Sequence, residues 1–240
     1  MKKNKSIGAF VAEDYRTASI FKKYGIDFCC QGNRTIEDAC KNTNIDAEMV
    51  MKDLEDIIEA NKGSVIDYQT WPLDLLCDYI VKKHHRYVVE KSKEIKPYLN
   101  KICEVHGIMH PELLEINELF NASVDVLGQH MNKEESIVFP FIHKMIKAQL
   151  EGANLEVPSY GNIENPIRMM EEEHTLEGDR FRKIEELSNH YTAPEDGCNT
   201  YKVTLALLKE FEEDLHLHIH LENNILFPKT IKLEKEFTFK

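Results

Sequence analysis

The chain has 240 residues, with 42 acidic side chains against 30 basic ones, a formal charge of −12, and 42% apolar residues. That charge balance excludes a nucleic-acid binder, which needs the opposite sign. No run of 18 apolar residues exists, which excludes a transmembrane helix, and the N-terminus, MKKNKSIGAFVAED, is too short and charge-interrupted in its apolar part for a signal peptide.

The expected setting is therefore cytoplasmic, with the six cysteines as reduced thiols rather than a disulfide framework. Residues 6–60 read as short helices. Ser6–Tyr24 has helical spacing at Ile7, Phe10, Val11, Ala18 and Phe21, and closes at Gly25; a second helix covers Thr35–Cys40. A third, from Asp46, sets Met49, Val50, Leu54, Ile57 and Ile58 on one face. Between the first two lies DFCCQGNRTIEDAC, 27–40, where Cys29 and Cys30 follow a helix stop and precede Gly32. This reads as two exposed thiols at a loop mouth, at a helix start where thiol pKa values fall, suited to redox exchange or soft-metal contact. A disulfide between neighbours is strained, and the plainer alternative is two small apolar core residues. The stretch 61–72, NKGSVIDYQTWP, breaks the pattern with a Gly and a Pro. It assigns 1–62 to a small helical domain, 63–71 to a linker, and 72–240 to a second domain.

Beyond Pro72 the sequence turns to long amphipathic runs over about 73–105, 111–148, 164–190 and 199–227, with breakers at 106–111, 151–162 and 193–197. The prediction is an all-α chain whose second domain is an antiparallel four-helix bundle. Pro140 and Pro228 predict kinks or stops.

Two of these runs carry nearly the same text: HMNKEESIVFP from His130 to Pro140, and HIHLENNILFP from His218 to Pro228. A His and a Glu four residues apart share a helix face. On the last helix Phe211, Leu215, His218, Glu222 and Ile225 form one stripe; on the second, Leu127, His130, Glu134, Ile137 and Phe141 do. The third helix has His174 on its apolar stripe, and His84 and His85 both border the apolar side of the first. His85 and His130 are equidistant from the turn at Gly107, and His174 and His218 from the turn at residue 196, so each pair sits at one level, about 30 Å from its turn. His85 satisfies this spacing better than His84.

His85, His130, Glu134, His174, His218 and Glu222 are thus expected at one level of the core. Any one of them alone reads as a satisfied core polar group. Two inward carboxylates are harder to bury without a cation. Six ligands exceed one tetrahedral zinc, and two carboxylates can bridge two metals. Imidazole plus carboxylate suits iron or manganese, with copper and zinc as alternatives, and two histidines per metal leave positions for a small exogenous ligand. His106 and His110 fall near the turn, His216 and His220 on a polar, solvated face, and Cys77 and Cys103 on apolar faces. Cys198 starts the last helix without an assigned role.

SIGAFVAEDYRTASIFKKYGIDFCCQG resembles the N-terminal domain of the iron–sulfur cluster repair di-iron proteins, the repair-of-iron-centres family. HMNKEESIVFP, EEEH and HIHLENNILFP resemble their hemerythrin-like domain. The resemblance covers nearly the whole chain. It implies a hemerythrin-like bundle with two non-haem iron ions, terminal ligands His85, His130, His174 and His218, and bridging Glu134 and Glu222. It also implies cytoplasmic repair of iron–sulfur proteins damaged by oxidative or nitrosative stress, through iron supply or nitric oxide binding, with Cys29 and Cys30 matching the family's paired cysteines. Gln31 departs from an expected second glycine, and Lys83-His84 from an aromatic ahead of the first ligand. The expected partners are damaged iron–sulfur proteins and a diatomic ligand, NO or O2, with a homodimer as a further possibility and neither nucleic acid nor membrane. The alternatives are an oxygen or nitric oxide carrier or sensor, needing only the bundle, and a nitric oxide-reducing enzyme, recognised by multiple turnovers.

Overall fold

The structure, a computed structural model, describes residues 5–41, 43–60 and 66–237. The described residues are helical throughout, apart from loops and one isolated bridge between Ser6 and Thr35.

Among the described residues, four short helices form the N-terminal unit: α1 (Ile7–Glu13), α2 (Ala18–Lys23), α3 (Ile36–Cys40) and α4 (Ala47–Ala60). The expected single helix over Ser6–Tyr24 is broken because Asp14 turns extended at the end of α1 and accepts from Arg16 N–H, starting a separate 3₁₀ turn, Tyr15–Thr17. Ser6 and Thr35 cap α1 and α3 through their hydroxyls. On α4, Val50 and Leu54 are buried, whereas Met49 and Ile58, expected on the same inner face, are exposed. Of the predicted linker, 63–65 lie outside the described residues. In 66–71, Tyr68 is buried and its ring meets Trp71 and Tyr79, so this stretch packs on the bundle.

The bundle has four rods. The first joins α5 (Leu73–Tyr79), a π turn (Ile80–His85) and α6 (Arg86–His106). The second joins α7 (Glu112–Lys133), a π turn (Glu134–Val138) and α8 (Phe139–Glu151). The third is α9 (Glu164–Leu187); the fourth joins α10 (Asn199–Leu221), a π turn (Glu222–Leu226) and α11 (Phe227–Glu234). Pro140 and Pro228 are each the second residue after a π turn, and helix continues beyond both, so neither rod stops.

Each π turn inserts one residue and rotates the stripe beyond it. This corrects the predicted inner position of Ile137: it is exposed, and Val138 is buried in its stead. The six His and Glu side chains form a polar layer between two apolar clusters. On one side lie Ile80, Val138, Met170 and Ile225; on the other Val88, Leu127, Phe181 and Leu215. Each of these side chains stabilises by about 1.5–3 kcal/mol on burial. The second cluster continues into the N-terminal unit through Phe10, Phe21 and Phe28, so that unit shares the bundle's core.

Candidate metal centre

All six predicted ligands meet. His85, Glu134, His218 and Glu222 form one group, and His130, Glu134, His174 and Glu222 another, with the two carboxylates common to both. Glu134 has one oxygen 3.3 Å from His85 Nε2 and the other 3.3 Å from His130 Nε2. Glu222 has one oxygen 3.1 Å from His218 Nε2 and the other 3.2 Å from His174 Nε2. Each carboxylate therefore spans the two halves. The π turns make this possible: His85 closes the first, and Glu134 and Glu222 open the other two.

The rings are oriented from outside. His85 Nδ1 donates to Glu135 at 2.7 Å, His130 Nδ1 to Glu173 at 2.8 Å, and His174 Nδ1 to Asn223 Oδ1 at 2.8 Å. With the proton on Nδ1, each Nε2 presents a lone pair inward, the tautomer a metal-binding histidine needs. His130 Nε2 and His174 Nε2 converge to 3.0 Å. His218 lies between two rings, stacked on His84 with centroids 5.6 Å apart and tilted against His85 at 5.0 Å. His84 is itself fully buried, its Nδ1 3.0 Å from Asp214, and it stands outside the ligand groups; the choice of His85 agrees with this geometry.

The donor set fits a pair of cations. Glu134 and Glu222 are completely buried, and three of their four oxygens lack a hydrogen-bond partner among the described residues. Burial pushes both carboxyls up, and at Glu134 the charge of Glu222 adds to this; the surrounding histidines reverse the effect and hold both below the usual carboxylate range. Burial opposes a charge on His130, but Glu134, Glu173 and Glu222 outweigh it and raise that imidazole to about 10. His218, fully enclosed, is instead held down by burial. Without a cation, this layer relies on protons shared between neighbours. With two divalent cations, the carboxylates and imidazole lone pairs are all satisfied.

Sequence reasoning missed the orienting side chains. Aligning the two repeated segments brings out two of them, because Glu135 and Asn223 occupy the same place, directly after the buried glutamate. Glu173 has a weaker signal as the residue before His174. Its pKa falls to about 2, chiefly through the hydrogen bond from His130, with Lys133 adding a second contact. A third buried carboxylate, Glu177, lies one turn beyond His174, holding Ser123 Oγ at 2.5 Å and Arg180 at 3.1 Å.

The paired cysteines sit against this centre. Both are free thiols. Asp27 Oδ1 accepts the N–H groups of Cys29 (3.1 Å) and Cys30 (2.9 Å). Asn223 and Asn224 donate to the Cys29 carbonyl at 3.3 and 3.1 Å, and Cys30 Sγ donates to the His174 carbonyl at 3.3 Å. The expected exposed, low-pKa thiols at a helix start are corrected here. The pair lies in a loop ahead of α3, Cys29 is buried, and Cys30 beside it, together with burial, pushes its thiol well up. The solvated reading of His216 and His220 is corrected too. His220 is buried and His216 partly so, because Phe28 packs against both rings and Tyr15 against His220. Helix periodicity could not reveal a face covered by another domain.

At the opposite end, His110 Nε2 meets Asp196 at 3.1 Å and His106 Nε2 meets Cys198 Sγ at 3.3 Å, tying the two turns together. Cys198 is exposed, and the N–H of Tyr201, with His106, lowers its thiol to about 7.

Two family matches divide the chain. Residues 3–58 match the ScdA_N domain, described as a domain of unknown function, and residues 78–230 match the hemerythrin HHE cation binding domain. The chain is 32% identical over 228 residues to the iron-sulfur cluster repair protein ScdA of Staphylococcus haemolyticus, covering 94% of this chain and 98% of that protein. It is 32% identical over 232 residues to the iron-sulfur cluster repair protein YtfE of Yersinia pestis, covering 97% and 99%, and equally so to that of Yersinia pseudotuberculosis.

Proposed function

Since the chain belongs to the family of iron–sulfur cluster repair proteins that join an ScdA_N domain to a hemerythrin HHE cation binding domain, we propose that it restores damaged iron–sulfur clusters by means of a dinuclear non-haem iron centre. His85 and His218 would hold one iron and His130 and His174 the other, with Glu134 and Glu222 offering a carboxylate oxygen to each half. The observation that carries this reading is the pair of fully buried carboxylates, each reaching histidines of both halves. Imidazole and carboxylate donors suit iron. Bound there, the irons supply open coordination positions for a diatomic ligand such as nitric oxide and a store of metal for a damaged cluster.

The protein's own groups do the rest. Glu135, Glu173 and Asn223 hold the protons on Nδ1, so that Nε2 is the donor atom. Phe139 and Phe227 stack on His85 and His174 and keep water from the layer. Cys29 and Cys30 act in transfer, within a unit spanning 1–62 that is seated on the bundle of 72–240. Six free thiols suit a reducing cytoplasm.

An oxygen carrier would need only the bundle. The seating of the cysteine loop on His174 and Asn223 favours repair instead. The test uses an iron–sulfur enzyme inactivated by nitric oxide. Iron-loaded protein restores its activity, whereas the Cys29→Ala/Cys30→Ala double variant keeps its iron and restores little. Full repair by the double variant removes the thiols from the function; no repair by the iron-loaded wild type rejects the function itself.

A further inference from the structure

We propose that Asp27, Cys29 and Cys30 form a second, mononuclear site for a thiophilic divalent cation, through which iron passes between solvent and the dinuclear centre. The two sulfurs lie 3.8 Å apart, and Cys29 Sγ lies 3.4 Å from Asp27 Oδ1. A tetrahedral metal with bonds of about 2.3 Å to sulfur and about 2.1 Å to oxygen sets two sulfurs about 3.8 Å apart and a sulfur and an oxygen about 3.6 Å apart. The two distances from Cys29 Sγ therefore already match edges of one coordination tetrahedron, and all three donor atoms lie within 4.8 Å of one another. The backbone keeps them there, since Asp27 Oδ1 is pinned by the N–H groups of Cys29 and Cys30 and the Cys29 carbonyl by two asparagines.

Asp27 and Cys29 line a cavity of about 320 Å³ together with Lys22, Gln31, Arg34 and Arg182, which gives a cation a way in from solvent. On entry of a divalent cation the two thiols release two protons to solvent, and the resulting site carries one net negative charge. Arg182, 3.6 Å from the other Asp27 oxygen, balances that charge. The opposite side of the site touches the centre. Cys30 Sγ meets the carbonyl of His174, and Asn223 contacts both His174 Nδ1 and the Cys29 carbonyl. The route for iron rests on the dinuclear reading; the thiolate site does not.

The test loads the full-length protein with iron anaerobically and then titrates it with Co2+. One further equivalent binds with a near-ultraviolet thiolate-to-cobalt band. The band is lost in Cys29→Ser/Cys30→Ser. In Asp27→Asn, which keeps the oxygen that accepts the loop N–H groups, affinity falls by about tenfold or more. The band persists in Glu134→Ala/Glu222→Ala, which separates this site from the centre. Absence of the band in wild type, or its survival in Cys29→Ser/Cys30→Ser, overturns the site. For the route, Fe2+ fills the centre of Cys29→Ser/Cys30→Ser more slowly than that of the wild type, to the same final content. Equal rates in variant and wild type overturn the route.

Discussion

The segments His130–Pro140 and His218–Pro228 are near copies, and they build the same thing from opposite sides of the bundle. Each opens a π turn at its glutamate, reaches both halves of the centre with that carboxylate, and uses the next residue to orient a histidine of another rod. They differ in what covers them. Glu135 is 46% exposed, so the first copy borders solvent. In the second copy, Asn223 and Asn224 hold the cysteine loop, and Gly8 and Gly32 let the N-terminal unit close on Asn224. One arrangement of His, π turn and buried carboxylate is thus used twice, once open and once bonded to a second domain.

The largest expected effect ignores that difference. Because each carboxylate spans both halves, Glu134→Ala and Glu222→Ala should each remove both irons, as read by metal analysis; loss of one iron from either variant would show that the halves are independent. Next come the orienting residues. Glu135→Ala and Asn223→Ala should each weaken metal retention by about 10–100-fold, measured by chelator competition. Only Asn223→Ala should also speed alkylation of Cys30, and equal acceleration in both variants would erase the asymmetry of cover.

Glycines give a smaller contrast. A Cβ at Gly32 would stand 2.4 Å from the Phe28 carbonyl and 2.6 Å from Asn224 Oδ1, whereas at Gly128, two residues before His130, it meets nothing within 4 Å. Gly32→Ala should cost about 1–3 kcal/mol. Gly128→Ala, inside α7, should stabilise by roughly 0.5–1 kcal/mol, both read from denaturant midpoints.

The smallest effect uses Cys198, at the uncovered end, as a reference thiol. Its folded pKa is lowered, so the reactive thiolate grows as pH rises and reaches half near pH 7. Alkylation of Cys198 should inflect there, and His106→Ala should move the inflection upward. Cys29, whose thiol is pushed up, should stay slow throughout that range.

The meeting of six His and Glu side chains at one level is legible because helix geometry turns sequence spacing into position. His-x-x-x-Glu sets two donors on one face, and equal distances from Gly107 and from residue 196 set four histidines at one height. Three features were not legible. The π turns leave no mark in a 3.6-residue period, which places Ile137 inward although it is exposed. The burial of His216 and His220 depends on Phe28 arriving from another domain. Cys29 looked exposed because its loop is short and polar, but Asn223 and Asn224 hold that loop against the bundle.

Iron content of the full-length protein, purified without oxygen, bears most directly on the centre. Two irons per chain are predicted, with both lost when Glu134 and Glu222 are changed to Ala together. Protein isolated without iron, or a double variant that keeps both, would contradict the account.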